Sequence, residues 1–182
     1  MSSGFSYVDC TELSHEQVLS IIPHRPPFLF IDRVLEIKKP SSIGVGMDPK
    51  AIKEARKGTI VRAVRTLSVD EDFFKGHFPG NPIFPGVLSI EAMAQTAVFS
   101  TVPFLAAMNN GELPKLGVAL TGVEDARFRK PIVPGDRLEI KVTVLNVRDP
   151  IWWFEGEISV NGEPKKAAEA KFMAFLEEKG NK

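Results

Sequence analysis

The sequence predicts an α+β fold in which an antiparallel sheet surrounds one buried helix. Residues 86–102 are apolar on nearly every side of a helical projection, which is typical of a helix that is buried all round. Stretches rich in β-branched and apolar residues precede this run at 28–37 and 59–69, and more follow from residue 116 onward. Strands joined by short turns pair antiparallel, so this order indicates a sheet wrapped around the helix.

The chain begins with a predicted short helix over residues 15–22. Ser14 and Gln17 have the spacing of a capping box, and Pro23 ends the helix. Residues 28–37, FLFIDRVLEI, follow two prolines and are predicted to form the first strand.

The segment between the first two strands contains a predicted surface helix. Asp48 is placed to cap the charged run PKAIKEARK at 49–57, and Gly58 follows its end. Residues 59–69 are the second predicted strand. Residues 70–86 are so dense in glycine, proline and phenylalanine that we predict an irregular loop there.

After the long helix the sequence predicts strands only. Pro103 kinks or ends the helix. The strands that follow are separated by turns and are predicted at 116–128, 136–149, 151–160 and 164–176. No repeat, low-complexity tract or linker divides the chain, so residues 1–182 are predicted to form a single domain.

Composition and charge limit the classes of partner. The 23 Lys and Arg residues balance the 23 Asp and Glu residues, so no overall field points to nucleic acid or to an anionic membrane. Cys10 is the only cysteine, which excludes an internal disulfide; we interpret it as incidental because it lies in a polar stretch. The N-terminal residues do not resemble a signal peptide, so we expect a cytoplasmic protein.

No metal, cofactor or membrane span is predicted. His15, His24 and His77 lack the spacing of metal ligands, and one cysteine cannot complete a site. No phosphate-binding glycine loop is present. The apolar run around 87–108 contains a glutamate, a glutamine and a proline, so we predict a core helix rather than a transmembrane helix.

The most informative stretch is residues 76–95, GHFPGNPIFPGVLSIEAMAQ. His77 lies in a loop that three prolines stiffen and three glycines allow to turn tightly. A stiff loop holds a side chain in one place, and histidine titrates near neutral pH. These properties suit a general base.

Gly86 begins the long helix, where free N–H groups and the positive end of the helix dipole point outward. A carbonyl oxygen bound there by the N–H groups of Gly86 and Val87 would be polarised. Glu91 lies five residues further, about 7.5 Å along the axis, in apolar surroundings that favour a protonated carboxyl group. Gln95, one turn later, is placed to hydrogen-bond Glu91.

Taken singly, His77 and Glu91 have simpler explanations. A histidine in such a loop is more often a structural hydrogen-bonding group, and a lone glutamate on an apolar helix often reaches the surface or an interface. Together, on either side of a helix N-terminus, the two residues favour a base and an acid.

Residues 76–95 resemble the signature of the β-hydroxyacyl-acyl carrier protein dehydratases of the FabZ type, GHFPGxPxxPGVLxxEAxAQ, at every fixed position. Two other segments resemble motifs of the same family: PHRPPFLFIDRV at 23–34 and ARFRKPIVPGDRLEI at 126–140. Within the first of these we interpret His24 and Arg25 as structural. The resemblance covers residues 14–176.

The resemblance implies a hotdog fold and a hydro-lyase of fatty acid biosynthesis that needs no cofactor. Its substrate would be a (3R)-hydroxyacyl thioester of acyl carrier protein and its product the trans-2-enoyl thioester. His77 would remove the α-proton, and the N–H of Gly86 would bind the carbonyl oxygen. Glu91 would protonate the departing hydroxyl or hold it through a water molecule. Glu91 stands where the isomerising branch of the family has Asp, which argues for dehydration without isomerisation.

The resemblance also implies an obligate homodimer, often assembled as a hexamer. His77 of one subunit would face Glu91 of the other, and the acyl chain would run in an apolar tunnel along the interface. Phe74, Phe78 and Phe84 are candidates for the tunnel wall, although ordinary core or dimer packing explains them equally well.

Arg127, Arg129 and Lys130 are candidates for a contact with the acidic carrier protein. The alternative is a solvated strand face, because lysine and arginine are common on surfaces.

The segment 39–58 is longer than the family pattern. We consider three roles for it: a surface ornament, an altered carrier-protein contact, or a cover for the tunnel. Its presence leaves open a dehydratase or hydratase of a specialised lipid or polyketide pathway.

Other functions are compatible with the same fold, since fold alone does not determine function. These are a thioesterase, a coenzyme A hydratase, and a non-catalytic acyl-binding or scaffold subunit. The intact pair of His77 and Glu91 argues against the last.

Overall fold

The computed structural model describes residues 5–178, so both ends of the predicted 1–182 domain lie outside the described residues. The helices are α1 His15–Ile21, α2 Pro49–Glu54, α3 Asp72–Gly76, α4 Gly86–Val98 and α5 Val102–Met108. The strands are β1 Arg33–Lys38, β2 Ile60–Thr66, β3 Leu116–Phe128, β4 Arg137–Arg148, β5 Ile151–Val160 and β6 Lys166–Glu178.

In the part of the chain that the structure describes, the strands form one six-stranded antiparallel sheet in the order β1-β2-β4-β5-β6-β3. The hairpin between β4 and β5 turns at Asp149 and Pro150, as predicted. β3 follows the helices in sequence but pairs with β6, the last strand. β1 and β3 therefore form the two edges of the sheet.

Helix α4 packs across one face of this sheet and contacts β2 through β6. Ala92 and Met93 on its inner side are completely buried. Gly156 of β5 lets the helix come close, because a Cβ at that position would lie 2.6 Å from the sulfur of Met93. The predicted α+β hotdog arrangement, a curved sheet around one long helix, is confirmed.

The segment Gly86–Met108 is long and apolar enough to cross a membrane, but 83% of its most apolar 18-residue window is buried inside the protein. The predicted single helix is in fact two. α4 ends at Val98, and Pro103 lies in the first turn of α5, where a missing N–H costs nothing.

Two other predictions about elements are wrong in part. The strand predicted at 28–37 occupies only 33–38, because the backbone around Phe28 and Phe30 bonds to the Gln95 side chain instead of to a strand. The loop predicted at 70–86 contains the short helix α3.

The segment 39–58 is more than a surface feature. Helix α2 is shorter than predicted, and it buries Ile52 against α5. Asp48 caps it through a hydrogen bond from the N–H of Lys50 (3.2 Å). A second apolar cluster forms here, separate from the main core, and consists of Val8, Ile43, Ile52, Phe104, Ala106 and Ala107.

Candidate active site

His77 follows the last turn of α3, and its ring is fixed by a backbone carbonyl. Nδ1 lies 2.8 Å from the carbonyl oxygen of Ile83. A carbonyl can only accept a hydrogen bond, so Nδ1 carries the proton of the neutral ring. Nε2 is then left with its lone pair free to accept a proton.

The loop around His77 is tied by backbone hydrogen bonds. The His77 carbonyl accepts from the N–H of Ile83 at 2.8 Å, and Phe78 and Asn81 exchange two bonds of 3.1 and 3.0 Å. Gly80 has a φ of 78°, a conformation that glycine adopts without steric cost. The proline- and glycine-rich sequence thus forms a closed turn that holds the imidazole.

A cavity of about 300 Å³ lies beside this ring, and we call it the His77 cavity. Gly86 and Ser89 of α4 form one wall, and Phe128 with the residues after it forms another. Phe128 lies close to the backbone of Gly86, because a Cβ on Gly86 would be 3.0 Å from its ring. Any larger residue at 86 would press on Phe128.

The N-terminus of α4 opens toward the same region. Within residues 5–178, the N–H groups of Gly86 and Val87 donate no hydrogen bond. The first N–H groups of a helix lack intrahelical acceptors and bear partial positive charge. They are available to an oxygen atom that enters the cavity.

Glu91 is held by Gln95. The Gln95 amide donates to Oε1 of Glu91 and to the carbonyl of Phe28, both at 2.9 Å, and its oxygen accepts from the N–H of Phe30 at 2.9 Å. Gln95 is 1% exposed, and these partners use both of its donors. The N-terminal segment therefore orients Glu91 through one buried amide.

His24 also contacts Glu91, with Nε2 at 3.5 Å from the same Oε1 atom. Sequence reasoning interpreted His24 as structural and missed this contact; the only available signal was its place in the PHRPPFLFIDRV motif. Arg25, by contrast, donates to the carbonyls of Leu19, Ile22 and His24, a structural role.

Glu91 and His24 face a cavity of about 240 Å³, the Glu91 cavity, which also includes Gln95, Val98 and Leu120 in its lining. Among the described residues, 5–178, none lines both this cavity and the His77 cavity. Gly86 and Glu91 are five residues apart and so lie about 140° apart around the helix. Within one chain, the predicted base and the predicted acid face different cavities.

Comparisons with known proteins show the family to which this chain belongs. A family model described as a FabA-like domain matches residues 22–171. The chain belongs to the FabA-like family. The 3-hydroxyacyl-[acyl-carrier-protein] dehydratase FabZ of Cronobacter sakazakii is 39% identical over 158 residues, covering 87% of this chain and 89% of that protein. The FabZ dehydratase of an Escherichia coli strain is 38% identical over 161 residues, covering 88% and 91%.

The fold has a solved counterpart in the dehydratase heterocomplex ApeI:P from Xenorhabdus doucetiae. Its TM-score is 0.62 at 21% identity, with 89% of this chain and 91% of that chain covered. The FabZ-type resemblance predicted from residues 76–95 is confirmed by the relatives, and the hotdog fold by this counterpart.

The three phenylalanines predicted for a tunnel occupy different places in this FabA-like chain. Phe74 is buried and packs edge-on against Phe73, in the core. Phe84 is buried and lines the His77 cavity. Phe78 is 49% exposed and stacks on the His77 ring with centroids 4.1 Å apart.

The basic candidates of the FabA-like chain are paired with acids. Arg129 and Arg127 lie 2.5 and 3.7 Å from Glu169, and Lys130 lies 2.9 Å from Glu163. Hydrogen bonds from Arg129 and Lys166 lower the pKa of Glu169 to about 2. Arg129 and Lys130 also line the His77 cavity.

Proposed function

We propose that this FabZ-type protein is a hydro-lyase that converts (3R)-hydroxyacyl-[acyl carrier protein] to the trans-2-enoyl thioester in fatty acid biosynthesis. The observation that carries the proposal is the fixed tautomer of His77, whose Nε2 is free to take a proton beside a helix N-terminus. The relatives named FabZ 3-hydroxyacyl-[acyl-carrier-protein] dehydratase support the substrate class.

The first step is removal of the α-proton by Nε2 of His77. The electron pair left on the α-carbon moves toward the thioester carbonyl, whose oxygen gains negative charge. The free N–H groups of Gly86 and Val87 are suited to bind that oxygen, because donors placed in advance stabilise charge as it develops. The imidazolium that forms keeps its Nδ1 bond to Ile83.

The second step is loss of the β-hydroxyl as water. Oε1 of Glu91 already accepts the hydrogen bond of Gln95, so the proton of a neutral carboxyl group is directed to Oε2. Oε2 donates this proton to the hydroxyl as the carbon–oxygen bond breaks and the electron pair returns from the enolate. The double bond then forms between the α- and β-carbons.

We propose that each site combines two copies of the chain. Proton removal and hydroxyl loss occur at adjacent carbons, so base and acid must both lie within hydrogen-bonding distance of one substrate. Because His77 and Glu91 of one chain line separate cavities, we infer that a second copy places its Glu91 cavity opposite the His77 cavity of the first. Apolar side chains exposed on β3 support that strand as the contact: Val118, Leu120, Val123 and Phe128.

A homodimer is then the smallest active unit, and we propose a trimer of dimers, with one domain per chain, as the full assembly. We propose acyl carrier protein as the donor of the substrate and Arg127, Arg129 and Lys130 as its contact. The pairing of these residues with Glu169 and Glu163 leaves the arginines about half exposed, and an acidic partner would compete for them. The cytoplasm is the compartment that a single, free cysteine supports.

The proposal is tested by incubating the protein with 3-hydroxyacyl-[acyl carrier protein] and measuring the enoyl product by mass spectrometry. We expect His77→Ala and Glu91→Gln each to lower kcat by 10² to 10⁴, about the value of a positioned acid or base. Turnover that survives both substitutions would contradict the mechanism. Turnover of coenzyme A thioesters alone would contradict the carrier-protein substrate.

A further inference from the structure

A third cavity, of about 240 Å³, lies beyond the Glu91 cavity, and we call it the distal cavity. Leu105 and Met108 of α5 and Trp152 of β5 line it. Leu116, the first residue of β3, lines both the distal cavity and the Glu91 cavity, so its side chain forms part of the wall between them.

One stripe of the α4–α5 segment runs past both cavities. Glu91, Gln95 and Val98 line the Glu91 cavity, while Thr101 and Leu105 line the distal one. These positions recur every three or four residues, and backbone hydrogen bonds between residues three apart continue the turn across the break between α4 and α5. A linear ligand that starts at Glu91 and follows this stripe would therefore reach the distal cavity.

The inserted segment 39–58 forms part of the wall of the distal cavity through Lys53 and Arg56. Arg56, just after α2, is 3% exposed; its Nη1 lies 2.6 Å from Asp149 and its guanidinium group lies 5.1 Å from the Trp152 ring. The buried guanidinium group, which lies near the Trp152 ring, is therefore held in place as part of the cavity wall. The segment that exceeds the family pattern in length therefore helps to shape this cavity.

The lining separates into an apolar part and a charged rim. Leu105, Trp152 and Leu176 are buried. Lys53 and Asp149 are about half exposed and pair with each other at 3.3 Å. A hydrocarbon chain can lie against the apolar part without removing these exposed charges from water.

We propose that the distal cavity receives the far end of a long acyl chain and that its residues set the upper limit of chain length. This inference rests on the function proposed above. Glu91 and Val98 are about 10 Å apart along the helix, the projected length of about eight saturated carbons. Acyl chains longer than about ten carbons would extend past Leu116. Each cavity alone is smaller than an ordinary ligand site, and the two together reach that size.

The first test compares substrates of different length in a variant that fills the distal cavity. Met108→Phe adds a ring there, while Val69→Phe adds the same ring at a position that is 66% exposed and lines neither cavity. We expect Met108→Phe to lower the ratio of kcat/KM for 16-carbon over 4-carbon substrates about tenfold, the effect of excluding a few methylenes, and Val69→Phe to leave the ratio unchanged. An unchanged ratio in Met108→Phe would overturn the proposal.

The second test needs no turnover, so it separates failure of this inference from failure of the proposed function. The chain has two tryptophans, and Trp153→Phe leaves Trp152 as the only one. Acyl pantetheine thioesters of 16 carbons, brominated either near the carbonyl or near the methyl end, are titrated while fluorescence is followed. We expect several-fold stronger quenching by the methyl-end bromines. Equal quenching by both, or no binding of either, would overturn the proposal.

Discussion

Glu91 has one carboxylate oxygen occupied before any substrate binds. The Gln95 amide holds Oε1 at 2.9 Å, while Gln95 itself is anchored by the backbone of Phe28 and Phe30. Gln95 is therefore a positioning residue that acts through Glu91. The buried amide also satisfies two backbone groups, so its removal affects both the acid and the fold.

The isosteric change Gln95→Glu keeps the size of the side chain but removes its amide donors, and a pH profile reports the effect on Glu91. A second carboxylate beside Glu91 favours the protonated form of the pair, because like charges repel at this distance. We expect kcat to fall at least about tenfold and the high-pH limb of its pH profile to move to higher pH. Thr96→Val is the matched control: it removes a buried side-chain bond to the Ala92 carbonyl on the same helix. A profile shift in Thr96→Val, or none in Gln95→Glu, would contradict the role of Gln95.

Cys10 gives a second prediction at the scale of one residue. Burial raises the pKa of its thiol to about 11, although the nearby Lys39 charge opposes this. The folded thiol stays protonated while the unfolded thiol ionises near pH 9, so the folded state loses stability as pH rises from about 9 to about 11. We expect Cys10→Ala to remove this decrease from a plot of the free energy of unfolding against pH. We also expect a maleimide at pH 8 to label Cys10 only after the protein unfolds. Rapid labelling of the native protein would show an accessible thiolate.

The contact between α4 and β5 depends on a glycine, which has no side chain. Gly156 lies under Met93, which is completely buried and cannot move toward solvent. We expect Gly156→Ala to lower the free energy of unfolding by about 1–3 kcal/mol through overpacking, measured by urea denaturation.

The Met93→Ala background provides the control for Gly156→Ala. The new methyl group would then enter space vacated by Met93, so the double variant should be more stable than the sum of the two single effects. Additive effects would show that the helix does not press on the strand at this point.

Much of the element order could be predicted from the sequence, because long apolar or alternating runs dominate it. Strands β3 to β6 and the start of α4 at Gly86 match within about two residues. α3 was missed because five residues without apolar periodicity carry no helical signal. The burial of Cys10 was missed because it comes from distant parts of the chain packing over a polar-looking segment.

The candidate site was predictable only as separate parts. The signature at 76–95 pointed to His77, Gly86, Glu91 and Gln95, and the Gln95–Glu91 hydrogen bond has the expected spacing of four residues. His24 was not predicted as a neighbour of Glu91, since sequence spacing gives no sign that residues 67 apart meet. The buried wall formed by Arg56 was equally hidden inside a charged run.

At the scale of the whole molecule, the division of the site between two cavities leads to a mixing experiment. Dimers that combine one His77→Ala subunit with one Glu91→Gln subunit contain one intact site and one doubly altered site, if each site uses both chains. With equal amounts and random exchange, we expect about a quarter of the wild-type activity, because half of the dimers are mixed.

The control is each inactive variant exchanged with itself, which should gain nothing. Native mass spectrometry of differently tagged subunits establishes that mixed dimers form. Mixed dimers without activity would place base and acid within one chain.

The two edges of the sheet are not equivalent. Leu13 exchanges both of its backbone hydrogen bonds with Val34, at 3.0 Å each, and Thr11 accepts from Ile37, so the outer side of β1 is occupied. Among residues 5–178, β3 pairs only with β6. In the proposed dimer, the β3 edges of the two copies pair with each other across a two-fold axis. Neither copy then keeps an open strand edge to which another chain could add. We therefore expect that removing the residues before Ser14 would uncover a second strand edge and let the proposed dimers add to one another edge to edge, which light scattering would detect.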